Sequence, residues 1–182
     1  MRPTLKTYRP FLIFLAKFFG SYGILTLFYS LFLMQYEPHG IIDPVSEVVA
    51  NQSVALIEFF GPDANVVPEV SKPWVKLYYE RRYVARIVEG CNAVSVMILF
   101  AAFVIAFAGK LATTAGFIFF GSAVIYFLNI GRIALLCAAL FHWPQYEHLL
   151  HGVAFPLIIY SIVFFLWIIW VNKFSYHARK VV

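Results

Sequence analysis

Residues 113–141 read TTAGFIFFGSAVIYFLNIGRIALLCAALF, a run whose only strongly polar side chains are Asn129 and Arg132. At about 1.5 Å per residue, a helix from Thr113 to Arg132 reaches about 29 Å, roughly one hydrocarbon thickness of a bilayer. The stretch reads as a transmembrane helix with Arg132 near the far interface and the remainder protruding or bending beyond it.

The rest of the chain shares this character. Of 182 residues, 62% are hydrophobic and 13% charged, against about 45–50% and about 25% in soluble domains. Mean hydropathy is +0.80. The 20 Phe, 11 Tyr and four Trp suit bilayer interfaces. Such a composition excludes a disordered tail, a coiled coil and a nucleic-acid-binding module. Two cysteines exclude a disulfide scaffold and a four-thiolate zinc site. Further spans are expected over 11–34, 87–108 and 152–171. The first follows Arg2, Lys6 and Arg9, is too long for a signal-peptide core and has no cleavage site after it. It reads as a retained signal anchor, with Lys17 snorkelling back to the entry side. The expectation is an all-α integral membrane protein, 1–182 forming one domain of four spans.

Charge sets the expected orientation. With the N-terminus inside, the cytoplasmic segments hold eight basic residues (Arg2, Lys6, Arg9, Lys17, Lys110, Lys173, Arg179 and Lys180) and no acidic one. All nine acidic residues and the other six basic ones fall outside. The positive-inside rule then puts both termini in the cytoplasm. The long extracytoplasmic segment is 35–86. Within it, Asp43-Pro44 is an N-cap followed by Pro at the first helical position. Val45, Val48, Val49, Gln52, Leu56 and Phe59 recur at helical spacing up to Gly61-Pro62. This is an amphipathic helix lying on the membrane surface or capping the bundle. Residues 74–79 alternate like a short extended segment.

Polar groups at membrane depth are costly and mark candidate functional sites. Cys91, in Glu89-Gly90-Cys91, opens the second span, where helix N–H groups favour a thiolate. As a small apolar residue it serves packing equally well, the role given to Cys137. Asn129 and Arg132, three apart, share a helical face, although an interfacial Arg also simply snorkels. His142, His148 and His151 surround the start of the fourth span, with Glu147 among them. Such a cluster is either solvated or a metal or haem ligand set, but it lacks the His-Glu-x-x-His zinc spacing. Topology places Cys91, Arg132 and His148 at one depth, the outer face. A thiol, an imidazole and a guanidinium suit nucleophilic acyl transfer.

Three motifs, Glu89-Gly90-Cys91, Asn129-Ile130-Gly131-Arg132 and His148-Leu149-Leu150-His151-Gly152, resemble the Glu-x-Cys, Asn-x-x-Arg and His-x-x-x-Gly motifs of the exosortase/archaeosortase family, most closely its short exosortase F branch. They stand in the same order on successive spans, over residues 88–155. After the Cys many members carry Ser or Ala and then Gly, where this chain has Asn92-Ala93. The resemblance implies a cysteine protease/transpeptidase in a bacterial cytoplasmic membrane. Its partners would be exported proteins bearing a C-terminal motif, a transmembrane helix and a basic tail. Cys91 would be the nucleophile, Arg132 the transition-state or substrate stabiliser and His148 the acid/base, with Glu89, Asn129 and His151 in support and no cofactor. His148 is preferred over His151 because its spacing to Gly152 matches the motif. Two other readings compete: a metal- or haem-binding membrane protein using the His cluster, and a non-catalytic assembly subunit whose polar residues bind a partner helix.

Overall fold

The computed structural model describes residues 5–107 and 109–175. Arg2, Arg179 and Lys180, assigned above to the cytoplasmic side, lie outside the described residues. The elements are α1 (Leu5–Leu33), α2 (Pro44–Phe59), β1 (Ala64–Pro68), β2 (Trp74–Tyr79), β3 (Arg82–Val88), α3 (Val94–Ala106), α4 (Leu111–His142), α5 (Glu147–Leu149) and α6 (Phe155–Ile169). A π-helical turn, Leu150–Ala154, joins α5 to α6. Among the described residues, three stretches are long and apolar enough to cross a membrane: Tyr8–His39, Leu111–His142 and Pro144–Phe174. They contain the expected spans 11–34, 113–141 and 152–171.

The second expected span, 87–108, is where the structure differs. Ile87 and Val88 end β3, Glu89–Cys91 form a 3-10 turn, and the helix begins only at Val94. Its 13 residues reach about 20 Å, short of a hydrocarbon core of about 30 Å. A continuous apolar run does not by itself separate the buried end of a strand from a helix. The 35–86 segment differs too. Its extended stretch at 74–79 is the central strand of a three-stranded antiparallel sheet ordered β1-β2-β3. The chain is mostly helical, and this small sheet is added to it.

The sheet follows from its side chains. Val75, Leu77 and Tyr79 are buried while Trp74, Lys76 and Tyr78 between them are half-buried, the period of two that a one-sided strand needs. Glu80 and Arg81, at φ 48° and 62°, make the two-residue link from β2 to β3, the left-handed pair that suits strand twist. Asp63 and Glu80 exchange two bonds that pin this link: Glu80 N–H donates to the Asp63 carbonyl at 2.8 Å, and Asp63 N–H to Glu80 Oε1 at 3.0 Å. Desolvation, with Cys137 and Glu80 close by, raises the Tyr79 hydroxyl pKa above its ordinary value. Its ring packs on Phe141 at 4.8 Å.

Asp43 caps α2 as expected: its Oδ1 accepts from Ser46 N–H at 2.9 Å, with Pro44 at the first position. The buried face is not the expected one. Ser46, Val49, Ala50, Ser53 and Ile57 point inward, whereas Val48 and Phe59 are exposed. Small residues on that face allow close approach to α4 and to the sheet.

Two apolar clusters result. One joins α2, the sheet and the C-terminal half of α4 through Val49, Ile57, Val75, Leu77, Ile87, Ile133 and Cys137. The other joins α3, α4 and α6 through Phe100, Val104, Ile125, Val163, Leu166 and Trp170. In a bilayer the second gains little from apolar burial and depends on close packing and hydrogen bonds. Gly121 supplies the packing: a Cβ there would run into the Phe100 ring. Trp170 Nε1 supplies a bond, donating to the Phe107 carbonyl at 3.0 Å. α1 lies along α3, with Phe14 against Phe107 at 4.6 Å.

Candidate active site

Cys91 is the last residue of the Glu89–Cys91 turn, directly after β3. It therefore lies just ahead of α3 rather than inside its first turn. The link between them is fixed by Asn92, which is 1% exposed. Its Oδ1 accepts from Val94 N–H at 2.9 Å, covering one of the free donors of α3. Its Nδ2 donates to the Tyr29 hydroxyl at 2.8 Å and to Ser46 Oγ at 3.0 Å. One side chain thus ties α1, α2 and α3 to the segment that carries Cys91. Ala93 follows at φ 63°, a left-handed conformation for which glycine is the usual residue.

The backbone of Cys91 is held from α4. Asn129 Nδ2 donates to the Cys91 carbonyl at 2.6 Å, and Asn129 Oδ1 accepts from Arg132 Nη1 at 3.3 Å. Asn129 is fully buried. The expected pairing of Asn129 with Arg132 on one helical face is therefore present, and the same amide reaches the cysteine. Arg132 Nε is buried with no protein partner. A donor left this way costs about 1–3 kcal/mol unless something accepts from it.

A cavity of about 520 Å³ lies between β3 and α4, and Cys91, Arg132, Glu147 and His151 all line it. Arg86 of the strand is also among the lining residues, with its guanidinium over the Trp74 ring at 5.4 Å. The remaining lining is mostly aliphatic, including Ile133, Leu136 and Leu140 of α4. The structure thus gathers Cys91, Arg132 and one histidine of the fourth span. That histidine is His151. His148 is exposed and does not line the cavity. Glu147 and His151, four apart, share the cavity face, and the sequence motif centred on His148 gives no hint of this.

Glu89 is placed elsewhere. It lines a separate cavity of about 270 Å³ with Tyr36, Glu37, Asp43 and Trp74, on the α1 and α2 side. His142 is exposed at the end of α4, its ring against Phe141 and Trp143. Among the described residues no three His, Cys, Asp or Glu side chains gather in a metal-ligating group, so the three histidines do not form one ligand set. The residue that the sequence reading missed is Asn92, noted there only as a departure from a motif. A buried Asn two residues before a helix is a recognisable capping element.

Comparison of the chain with protein-family models, with curated proteins and with solved structures finds no match.

Proposed function

We propose that the protein is a membrane-embedded cysteine peptidase or transpeptidase, exosortase-like in its chemistry. In this reading it acts at the outer face of a bacterial cytoplasmic membrane, with both termini inside. The observation that carries the proposal is the single cavity lined by Cys91, Arg132 and His151. Its substrates are exported proteins with a C-terminal motif, a transmembrane helix and a basic tail.

The acid/base role passes from His148 to His151, because His151 lines the cavity with the thiol. His151 takes the Cys91 proton, and the thiolate attacks the scissile carbonyl carbon. Charge builds on the carbonyl oxygen, which accepts from the Arg132 guanidinium at the cavity wall. The tetrahedral adduct collapses, and the C–N bond breaks. The departing amine takes the proton from His151, leaving a thioester on Cys91. Water or an acceptor amine then attacks, giving its proton to His151 and releasing the sulfur. Asn129 keeps Cys91 and Arg132 in register throughout.

The test is made in the native host with wild type and Cys91→Ala. Mass spectrometry of exported proteins is expected to find a set whose C-terminal helix and basic tail are removed in wild type and retained in the variant. Identical processing, with the variant stably expressed, would overturn the proposal.

A further inference from the structure

Six consecutive residues, 83–88, line the cavity that contains Cys91. Side chains alternate between the two faces of a strand, so a cavity resting on one face would meet every second residue. Contact with all six means that the cavity runs along the strand's edge, where its backbone N–H and C=O groups lie. Among the described residues β3 is an edge strand, paired with β2 alone. Such an edge is a template for another extended chain. This one leads within three residues to Cys91.

From this geometry we infer that the substrate's recognition segment binds as an added strand on the free edge of β3. Main-chain hydrogen bonds supply affinity in this mode, and alternate side chains supply selectivity. The strand would pass between β3 and α4 and bring one of its carbonyls over Cys91. Charge specifies the side chain. Arg86 and Arg132 are among the lining residues, against one carboxylate, Glu147. The segment is therefore extended and carries a carboxylate side chain near the cleavage point. This inference rests on the reading of Cys91 as nucleophile and adds how its substrate is held.

The experiment uses purified full-length protein in detergent micelles. The probe is a capped hexapeptide of alternating Val and Thr that carries one Glu and ends in a chloromethyl ketone. Alkylation at each cysteine is followed by mass spectrometry. A second series carries a methyl group on each backbone nitrogen in turn, a third replaces Glu by Lys, and iodoacetamide reports the thiol alone. Strand addition predicts that methylation slows labelling of Cys91 about tenfold at every second position and leaves the intervening positions nearly unchanged. The Glu peptide should outpace the Lys peptide by about tenfold. Tolerance of methylation at all positions, sensitivity without alternation, or failure of the peptide where iodoacetamide labels Cys91 overturns strand addition and leaves the nucleophile standing. Equal labelling by the Lys peptide overturns the acidic specification. If Cys91 resists iodoacetamide as fully as buried Cys137, the nucleophile reading fails as well.

Discussion

Asn129 of α4 donates its side-chain amide to the backbone carbonyl of Cys91 at 2.6 Å, and the same side chain accepts from Arg132. The residue is fully buried, so its hydrogen bonds are not replaced by water when it is removed. Asn129→Ala should slow substrate processing about 10- to 100-fold, the equivalent of about 1–3 kcal/mol for orphaned partners. Asn129→Asp keeps an acceptor for Arg132 and loses the donor to Cys91, and should fall between. Processing rates in membrane fractions, normalised to protein level, check the order. Wild-type rates in Asn129→Ala would remove the bridge from the account.

His151 lines the cavity with Cys91 and His148 does not, although both are exposed. His151→Asn should reduce processing by about 100-fold or more, as loss of a general acid/base does. His148→Asn should stay within about threefold, since its side chain does not line the cavity. The reverse ranking, measured on the same substrate, would return the role to His148.

Close packing without a hydrophobic driving force leaves α3 and α4 sensitive at Gly121. Phe100, itself fully buried, occupies the space a Cβ would need. Gly121→Val should lower stability in detergent by about 1–3 kcal/mol, and Phe100→Leu in the same chain should recover part of it. An unchanged thermal midpoint for Gly121→Val would show that the two helices are not packed this way.

Asn92 makes three side-chain hydrogen bonds in the protein interior, to Val94, Tyr29 and Ser46, whereas Asp43 Oδ1 makes one to cap α2. Asn92→Ala should therefore cost more than Asp43→Ala, about 2–4 kcal/mol against about 1 kcal/mol for a lost cap. Chemical denaturation in a single detergent checks the ranking. Ala93→Gly should be close to neutral, because relief of about 1–2 kcal/mol of left-handed strain is offset by added chain entropy and a lost buried methyl. Ala93→Val should be clearly destabilising.

Parts of this arrangement are legible in the sequence for definite reasons. The long apolar runs around 11–34, 113–141 and 152–171 carry their own length criterion, and the described helices contain them. Asp43-Pro44 announces a helix start through local chemistry alone, and the cap is there. Residues 87–91 do not begin a helix as expected, because Ile87 and Val88 are as apolar in a strand as in a helix. The hairpin between β2 and β3 was hidden because its turn uses Glu80 and Arg81 in place of Asn-Gly. The buried face of α2 was misjudged because Ser46, Ala50 and Ser53, small enough for close packing, do not register as hydrophobic. Asn129 and Arg132 were visible as costly groups in an apolar helix, but their reach to Cys91 depends on tertiary structure. The same holds for His151: spacing to Gly152 favours His148, and which histidine lines the cavity depends on tertiary packing.

The central claim is that Cys91 forms a thioester with its substrate. The most direct measurement is mass spectrometry of the Cys91-containing peptide from rapidly acidified membranes of the native host, with and without neutral hydroxylamine. The expected result is an acyl adduct on Cys91 that hydroxylamine removes and that Arg132→Ala reduces, with the matching hydroxamate on the C-terminus of an exported protein. An unmodified Cys91 in every sample, together with unchanged C-termini in Cys91→Ala, would contradict it.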